Sequence, residues 1–413
     1  MEMTERRLRF CMVTTFYPPY SFGGDGIFVH RLSNELARRG HSVDVIHCKD
    51  AYRLMGGRKP DRGYDDQANI TVHGLESSLR FLSPLATHQT GYPLFKSAEI
   101  RRVLEKGFDV VHYHNISLLG PKVLEYGQGV KLYTLHEYWL VCPTHVLFKF
   151  NRAACTQPQC FLCSLSYKRP PQWWRYSGMM EKATRRVDAF LAPSQFSKNK
   201  HLQMGLAAPI VHLPPFVPDD DDGPSLQQID QGASPYFLFV GRLETLKGAQ
   251  TLVPIFRAYP KAQLWIAGTG SAEPEMRRLA AGSANIRFLG YRSGDELRRL
   301  YRHAVALIVP SLCFETFGQI IIEAFQQRTP VVGRNLGAVA EIIEESGGGV
   351  LYDADEELPF KLDLLLDDRR RQALGNNGHQ AYLRNWTASA HLTQYLDLIR
   401  TIFLRDSPNA RAT

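Results

Sequence analysis

No run of apolar residues in this 413-residue chain approaches the ~18 that a membrane-spanning helix requires. Nor does a charged segment followed by an apolar one mark a secretory leader. Both absences predict a cytoplasmic protein. No internal repeat stands out beyond a similarity between the two halves, and low-complexity sequence is confined to one linker. A basic motif interleaved with aromatics is missing, as is a recognition helix, so nucleic acid is not an expected partner. Cysteine is scarce: there are seven, and four of them fall within 22 residues.

Apolar residues make up 44% of the chain, enough to fill more than one core at this length. Strand-like and helix-like stretches alternate through both halves, which predicts parallel sheets covered by helices on both faces. Pro214-Pro215-Phe216-Val217-Pro218 and the aspartates that follow read as a solvated linker. Its Asp219–Asp222 run contains a D-x-D string, but a metal role is not expected in a linker. Residues 1–217 carry 28 Lys and Arg against 17 Asp and Glu, whereas the remainder carries 21 against 24. The basic first half fits an acidic acceptor, peripheral contact with an anionic membrane at its inner face, or solubility alone. Residues 49–70 are polar and glycine-rich and predict a loop over a cleft. His379 to Phe403 predicts one helix.

Four segments carry chemistry. In the first, Leu307-Ile308-Val309 reads as a buried strand, and Gly318 to Arg328 as a helix entered through a tight turn. Glu315 lies on the turn and Glu323 eight residues on, inside the helix. A helix N-terminus offers free N–H groups to an anion, and carboxylates beside it suit neutral hydroxyls such as those of sugars. In the second, the strand Phe237-Leu238-Phe239-Val240 ends at Gly241, with Arg242 and Lys247 following as two cations fit for phosphate oxygens. In the third, a strand over Leu8–Thr14 precedes Gly23-Gly24-Asp25-Gly26 and a helix bearing Val29, Leu32 and Leu36. These glycines allow close backbone approach to a ligand but do not form G-x-G-x-x-G. In the fourth, Lys131 to Leu135 reads as a strand ending at His136, with His112 and His114 closing the strand before it. These two histidines suit a core or a cleft rim. Taken singly, each segment could equally be a surface turn beside an ordinary element.

Together they resemble the retaining glycosyltransferases of family four, which have the GT-B fold. The resemblance covers nearly the whole chain except residues 49–95 and a cysteine-bearing insertion. It implies an α/β protein of two Rossmann-like, doubly wound domains facing across a cleft. An acceptor-side domain would span residues 1–215, a linker 216–234 and a nucleotide-sugar domain 235–385, with a C-terminal helix over 386–413 crossing back to the first domain. It further implies a UDP-, GDP- or ADP-sugar donor, a glycan, lipid or small-molecule acceptor, and no catalytic divalent metal. Arg242 and Lys247 would stabilise the leaving diphosphate, Glu315 would hold the transferred sugar, and His136 would lie beside that sugar. Gly23 and Gly24 would approach the donor phosphate, with Phe317, Gly318 and Gln319 meeting sugar and diphosphate. Glu323 would bond the ribose, and Gly268, Gly270, Tyr291 and Arg292 would surround the base. A nucleotide-sugar epimerase on the same fold, or a zinc-stabilised binding module without catalysis, are the alternatives.

The cysteines depart from that family pattern. Cys142, Cys155, Cys160 and Cys163 are spaced C-x12-C-x4-C-x2-C. Four thiolates suit a tetrahedral structural zinc in a small loop with little core of its own. Free thiols, or a redox pair at Cys160 and Cys163, are the other readings.

Overall fold

The computed structural model describes residues 6–58, 60, 63–219 and 234–406. Of the linker aspartates, Asp220 to Asp222 lie outside the described residues.

The first half forms a seven-stranded sheet. Its strands are β1 (Arg9–Val13), β2 (Ser42–Cys48), β3 (Ile70–Leu75), β4 (Val110–Tyr113), β5 (Val130–Thr134), β8 (Ala189–Ala192) and β9 (Ile210–His212). A two-residue hairpin, β6 (Phe148–Lys149) with β7 (Ala153–Ala154), stands apart from it. The order is β3-β2-β1-β4-β5-β8-β9, parallel throughout. The second half contributes β10 (Tyr236–Val240), β11 (Gln263–Ala267), β12 (Ile286–Gly290), β13 (Leu307–Val309), β14 (Val331–Arg334) and β15 (Gly349–Tyr352). Its order, β12-β11-β10-β13-β14-β15, is also all parallel. These are two Rossmann-like α/β domains.

Strand alternation explains why each sheet has two cores. In β1, Cys11 and Val13 face one apolar cluster while Phe10 and Met12 face another. Tyr236 and Leu238 of β10 likewise oppose Phe237 and Phe239. Burial on both faces is why these strands read as continuous apolar runs. In each sheet the strand order reverses once, between β1 and β4 and between β10 and β13. In open α/β sheets, ligands bind outside the carboxyl ends of the strands at such a point. Here the turn after β13 meets the turns after β5 and β8 of the first sheet: Thr316 Oγ1 donates to the His136 carbonyl at 2.8 Å, and Ser194 Oγ to the Thr316 carbonyl at 2.8 Å.

Two expectations need correction. Residues 49–70 are not one loop, because Lys49–Leu54 is a helix and β3 starts at Ile70. The Cys48 sulfur accepts from the Ala51 N–H and caps that helix. The single helix expected over 379–403 is two, Asp368–Asn385 and Ala388–Asp406. Trp386 turns into the second-half core between them, stacking on Phe325 at 6.0 Å. Thr387 Oγ1 then accepts from the Ala390 N–H, which restarts the helix in a new direction. Ala388, Leu392, Tyr395, Ile399 and Ile402 join the first-half core, so the last helix crosses back over it. No helix among the described residues is long and apolar enough to cross a membrane.

Candidate active site

The turn after β10 runs from Gly241 into a short 3-10 segment, Thr245–Lys247, and Gly248 closes it with φ of 74°. A Cβ on Gly248 would lie 2.0 Å from the Pro310 carbonyl oxygen, so only glycine lets this turn lie against the one after β13. Leu312 N–H donates to the Leu246 carbonyl at 2.8 Å and locks the two turns together.

That contact sets Lys247 against Glu315. The ammonium donates to Oε1 at 2.7 Å and to Oε2 at 2.9 Å, and Ser311 Oγ donates to Oε1 at 2.7 Å. Burial alone would push the Glu315 carboxyl up, but Lys247 and Ser311 hold it below the usual carboxylate range. Burial opposes the Lys247 charge too, and Glu315 more than offsets it, so the ammonium titrates above its ordinary value. Both groups are therefore ionised at neutral pH. Arg242 is exposed on the same turn and pairs with Glu244 at 2.7 Å.

The helix Gln319–Gln326 starts directly after Gly318, leaving first-turn N–H groups without intrahelical partners. Phe317, just before it, is buried in the second-half core. A Cβ on Gly24 would come within 2.7 Å of Gln319 Oε1, so the glycine loop of the first half lies against this helix start. Gly24 opens the helix Gly24–Arg38, and Gly23 is its N-cap. Two turns along, Arg31 donates to Glu323 Oε1 at 3.1 Å, while Tyr301 OH donates to Oε2 at 3.2 Å.

His136 faces the other wall. Its Nε2 lies 3.0 Å from His114 Nδ1, its ring packs edge-on against Phe28, and burial pushes its pKa down to about 4 against the pull of Asp25. His112 and His114 are both core residues: His112 bonds Tyr395 OH at 2.9 Å and Thr134 Oγ1 at 2.8 Å, and both are almost wholly buried. Gly268 and Gly270 occupy the turn after β11, with the Gly268 N–H donating to the Gly290 carbonyl at 2.7 Å. Tyr291 stands exposed past β12, and Arg292 beside it pairs with Glu296 at 2.8 Å. The structure thus gathers Gly24, Gln319, Lys247, Glu315, Arg242 and Glu323 on the two turns, the helix Gln319–Gln326 and the glycine loop.

The description Glycosyl transferases group 1 matches residues 227–381, and Glycosyltransferase Family 4 matches residues 22–221. The chain belongs to glycosyltransferase family 4. An uncharacterized glycosyltransferase of Methanocaldococcus jannaschii is 24% identical over 385 residues, covering 87% of this chain and 90% of that one. The phosphatidyl-myo-inositol mannosyltransferase of Mycobacterium tuberculosis is 25% identical over 358 residues, covering 82% and 81%. Sucrose-phosphate synthase of Thermosynechococcus elongatus superposes with a TM-score of 0.74 at 20% identity, over 97% of this chain and 100% of that one. Anabaena HepE in complex with UDP and glucose superposes at 0.65 and 15% identity, over 96% and 100%. The shared architecture is the GT-B fold.

In this glycosyltransferase the zinc expected from the cysteine spacing is not supported. All four thiols line one narrow apolar cavity, yet no three His, Cys, Asp or Glu among the described residues are arranged to hold a metal ion. The sulfurs instead engage separate neighbours: Cys142 meets Thr144 Oγ1 at 3.2 Å, Cys155 donates to the Gln157 carbonyl, and Cys163 accepts from the Phe150 N–H. They are free thiols, and burial raises those of Cys155 and Cys160.

Arg31 and Ser311 are site residues that motif reading missed. Arg31 lies seven residues after Gly24, a spacing that puts both on one helix face, but its partner Glu323 is 292 residues away. No local pattern names that partner.

The buried histidines carry a pH prediction. Burial lowers His136, His201 and His391 to about 4. In the unfolded chain each titrates near 6.5. Above that pH all are neutral in both states and cost nothing. As pH falls from about 6.5 toward 4, the unfolded chain takes up protons that the fold refuses, so stability declines by ~1.4 kcal/mol per unit for each such group. The melting temperature is expected to hold between pH 8 and 7 and to drop steeply between 6 and 4.5. A flat profile over the lower interval would contradict their burial as neutral rings.

Proposed function

We propose that this glycosyltransferase moves a sugar from a nucleotide-sugar to an acceptor hydroxyl with retention of the anomeric configuration and without a catalytic divalent cation. The observation that carries the reading is the Lys247–Glu315 pair, which joins the turns after β10 and β13, beside Arg242 and the start of the helix Gln319–Gln326. Two cations and free backbone N–H groups suit a diphosphate, and the adjoining carboxylates suit sugar and ribose hydroxyls. Lys247 would exchange a carboxylate partner for the phosphate oxygens, releasing Glu315 to bond the transferred sugar. Glu323 would take the ribose hydroxyls, drawn from the reach of Arg31. The glycine loop, already against Gln319, brings the Gly24 backbone to the phosphate. Gly23, Phe317 and Gly318 would border the diphosphate, and Gly268, Gly270, Tyr291 and Arg292 the base.

In the chemical step the bond from the anomeric carbon to the diphosphate oxygen breaks, and the electron pair leaves with the diphosphate. Arg242 and Lys247 stabilise that charge where it develops. The acceptor hydroxyl attacks from the same face and gives its proton to the departing phosphate oxygen. His136 is neutral at physiological pH, so it can contact the sugar without adding a charge.

The neighbours solved with UDP and with UDP-glucose make uridine donors the first to test. Thermal shifts with UDP-, GDP- and ADP-sugars in EDTA are expected to single out one base, because a ligand that binds only the fold raises its melting point. Nucleotide release should then depend on added acceptor. Release or interconversion of the sugar without acceptor would favour an epimerase, and no stabilisation by any donor would favour a binding module. Loss of transfer in EDTA would refute metal independence.

A further inference from the structure

Of the 22 large hydrophobic side chains that stand exposed among the described residues, 12 lie in just two segments, 79–95 and 161–176. Scattered exposed hydrophobics need no explanation, but a concentration of this kind marks a docking surface. The two segments pack together. Trp174 Nε1 donates to the His88 carbonyl at 2.9 Å, which fastens the turn Trp173–Tyr176 to the helix Leu82–Thr90. Trp173 lies 5.5 Å from the Phe161 ring and 6.5 Å from Tyr176, joining the helix Cys160–Ser166 to the same face. Phe81, Phe95, Trp173 and Tyr176 are each more than half exposed.

Charge selects the occupant. Segments 79–95 and 161–176 hold Arg80, Lys168, Arg169 and Arg175 and no acid, and residues 177–186, which continue the second segment, add Lys182, Arg186 and an Arg185 paired with Glu181. A second copy of this chain would bring two such surfaces together, and their like charges would repel. A nucleic acid would satisfy the charge but leave the exposed Leu and Phe side chains in water. An anionic bilayer satisfies both: its headgroups attract the basic rim, and Trp, Tyr and Phe partition into the region below.

We infer that this face of the first domain docks on an anionic lipid bilayer. Arg175 ties it to the cleft, donating to the Trp139 carbonyl at 2.7 Å and to the Leu140 carbonyl at 3.3 Å, in the loop that begins at His136. Docking therefore sets the bilayer beside the acceptor side of the molecule. The inference is independent of the transfer chemistry, since binding is read without turnover.

The test is flotation of the full chain with phosphatidylglycerol/phosphatidylcholine vesicles. Binding is expected with the mixed vesicles, is expected to weaken at 0.5 M salt, and should be about tenfold weaker or worse on pure phosphatidylcholine. Trp173→Ser with Tyr176→Ser should lower the partition coefficient by about tenfold or more, as should Lys168→Glu with Lys182→Glu. All four positions are exposed, and an unchanged donor-induced thermal shift in each variant would show that fold and cleft are intact. No flotation of the parent chain, equal binding to neutral vesicles, or wild-type binding by the Trp173/Tyr176 variant would each overturn the proposal. So would a dimer in light scattering that this variant abolishes, because the face would then belong to a second copy.

Discussion

Lys247→Ala is expected to lower turnover by about 10²-fold or more at saturating donor, the scale for one lost group that stabilises transition-state charge. The structure adds a second consequence. Without its ammonium, Glu315 keeps only the Ser311 hydroxyl and sits half-buried, so its carboxyl should titrate upward. The pair acts as a unit, so losses should not add. Lys247→Ala combined with Glu315→Gln should be little worse than the poorer single variant. Glu315→Gln alone should damage transfer while free nucleotide still binds, because the reading gives Glu315 the sugar and not the phosphate. Steady-state kinetics and nucleotide titration on the four proteins decide this. Turnover of Lys247→Ala within a fewfold of the parent would remove the diphosphate assignment, and lost nucleotide affinity in Glu315→Gln would remove the sugar assignment.

Tyr395→Ala is expected to cost ~3–5 kcal/mol, the range for deleting a fully buried aromatic. Its ring stacks on Phe10 at 6.2 Å and on His391 at 6.0 Å, and its hydroxyl lies 2.9 Å from His112 Nδ1. The side chain therefore belongs at once to the last helix and to the first sheet. Losing it opens a cavity beneath β1 and frees the crossing helix. Tyr395→Phe keeps the ring and removes only the bond to His112, so it should cost ~1 kcal/mol. In urea unfolding the alanine variant should move the first-domain transition far more than the second. A shift below ~1 kcal/mol for alanine would show that the crossing helix is not a structural part of the first domain.

Much of the fold was legible because its signals are local. The apolar runs of β1, β10 and β13, each followed by a glycine-bearing turn and a helix, can be read within about 30 residues. Glu315 and Glu323 were visible for the same reason, as was the turn carrying Arg242 and Lys247. The cysteine spacing was equally visible, but the zinc it suggests is not supported among the described residues. A spacing constrains how far apart thiols can be, not where they point, and those of Cys142, Cys155 and Cys163 meet Thr144, the Gln157 carbonyl and the Phe150 N–H.

By itself, then, the amino-acid order determined the alternation of strand and helix, the two-domain α/β class, and the charge asymmetry between halves. Those follow from periodicity and composition, which need no knowledge of the rest of the chain. Only the tertiary structure decided that Lys247 pairs with Glu315 and Arg31 with Glu323, that the helix expected over 379–403 is interrupted at Trp386, and that segments 79–95 and 161–176 pack together through Trp174 and His88. The physical reason is sequence separation. Arg31 meets Glu323 across 292 residues, between the helix after β1 and the helix after β13, and His112 meets Tyr395 across 283, between β4 and the last helix, contacts that exist only once distant parts of the chain have packed together.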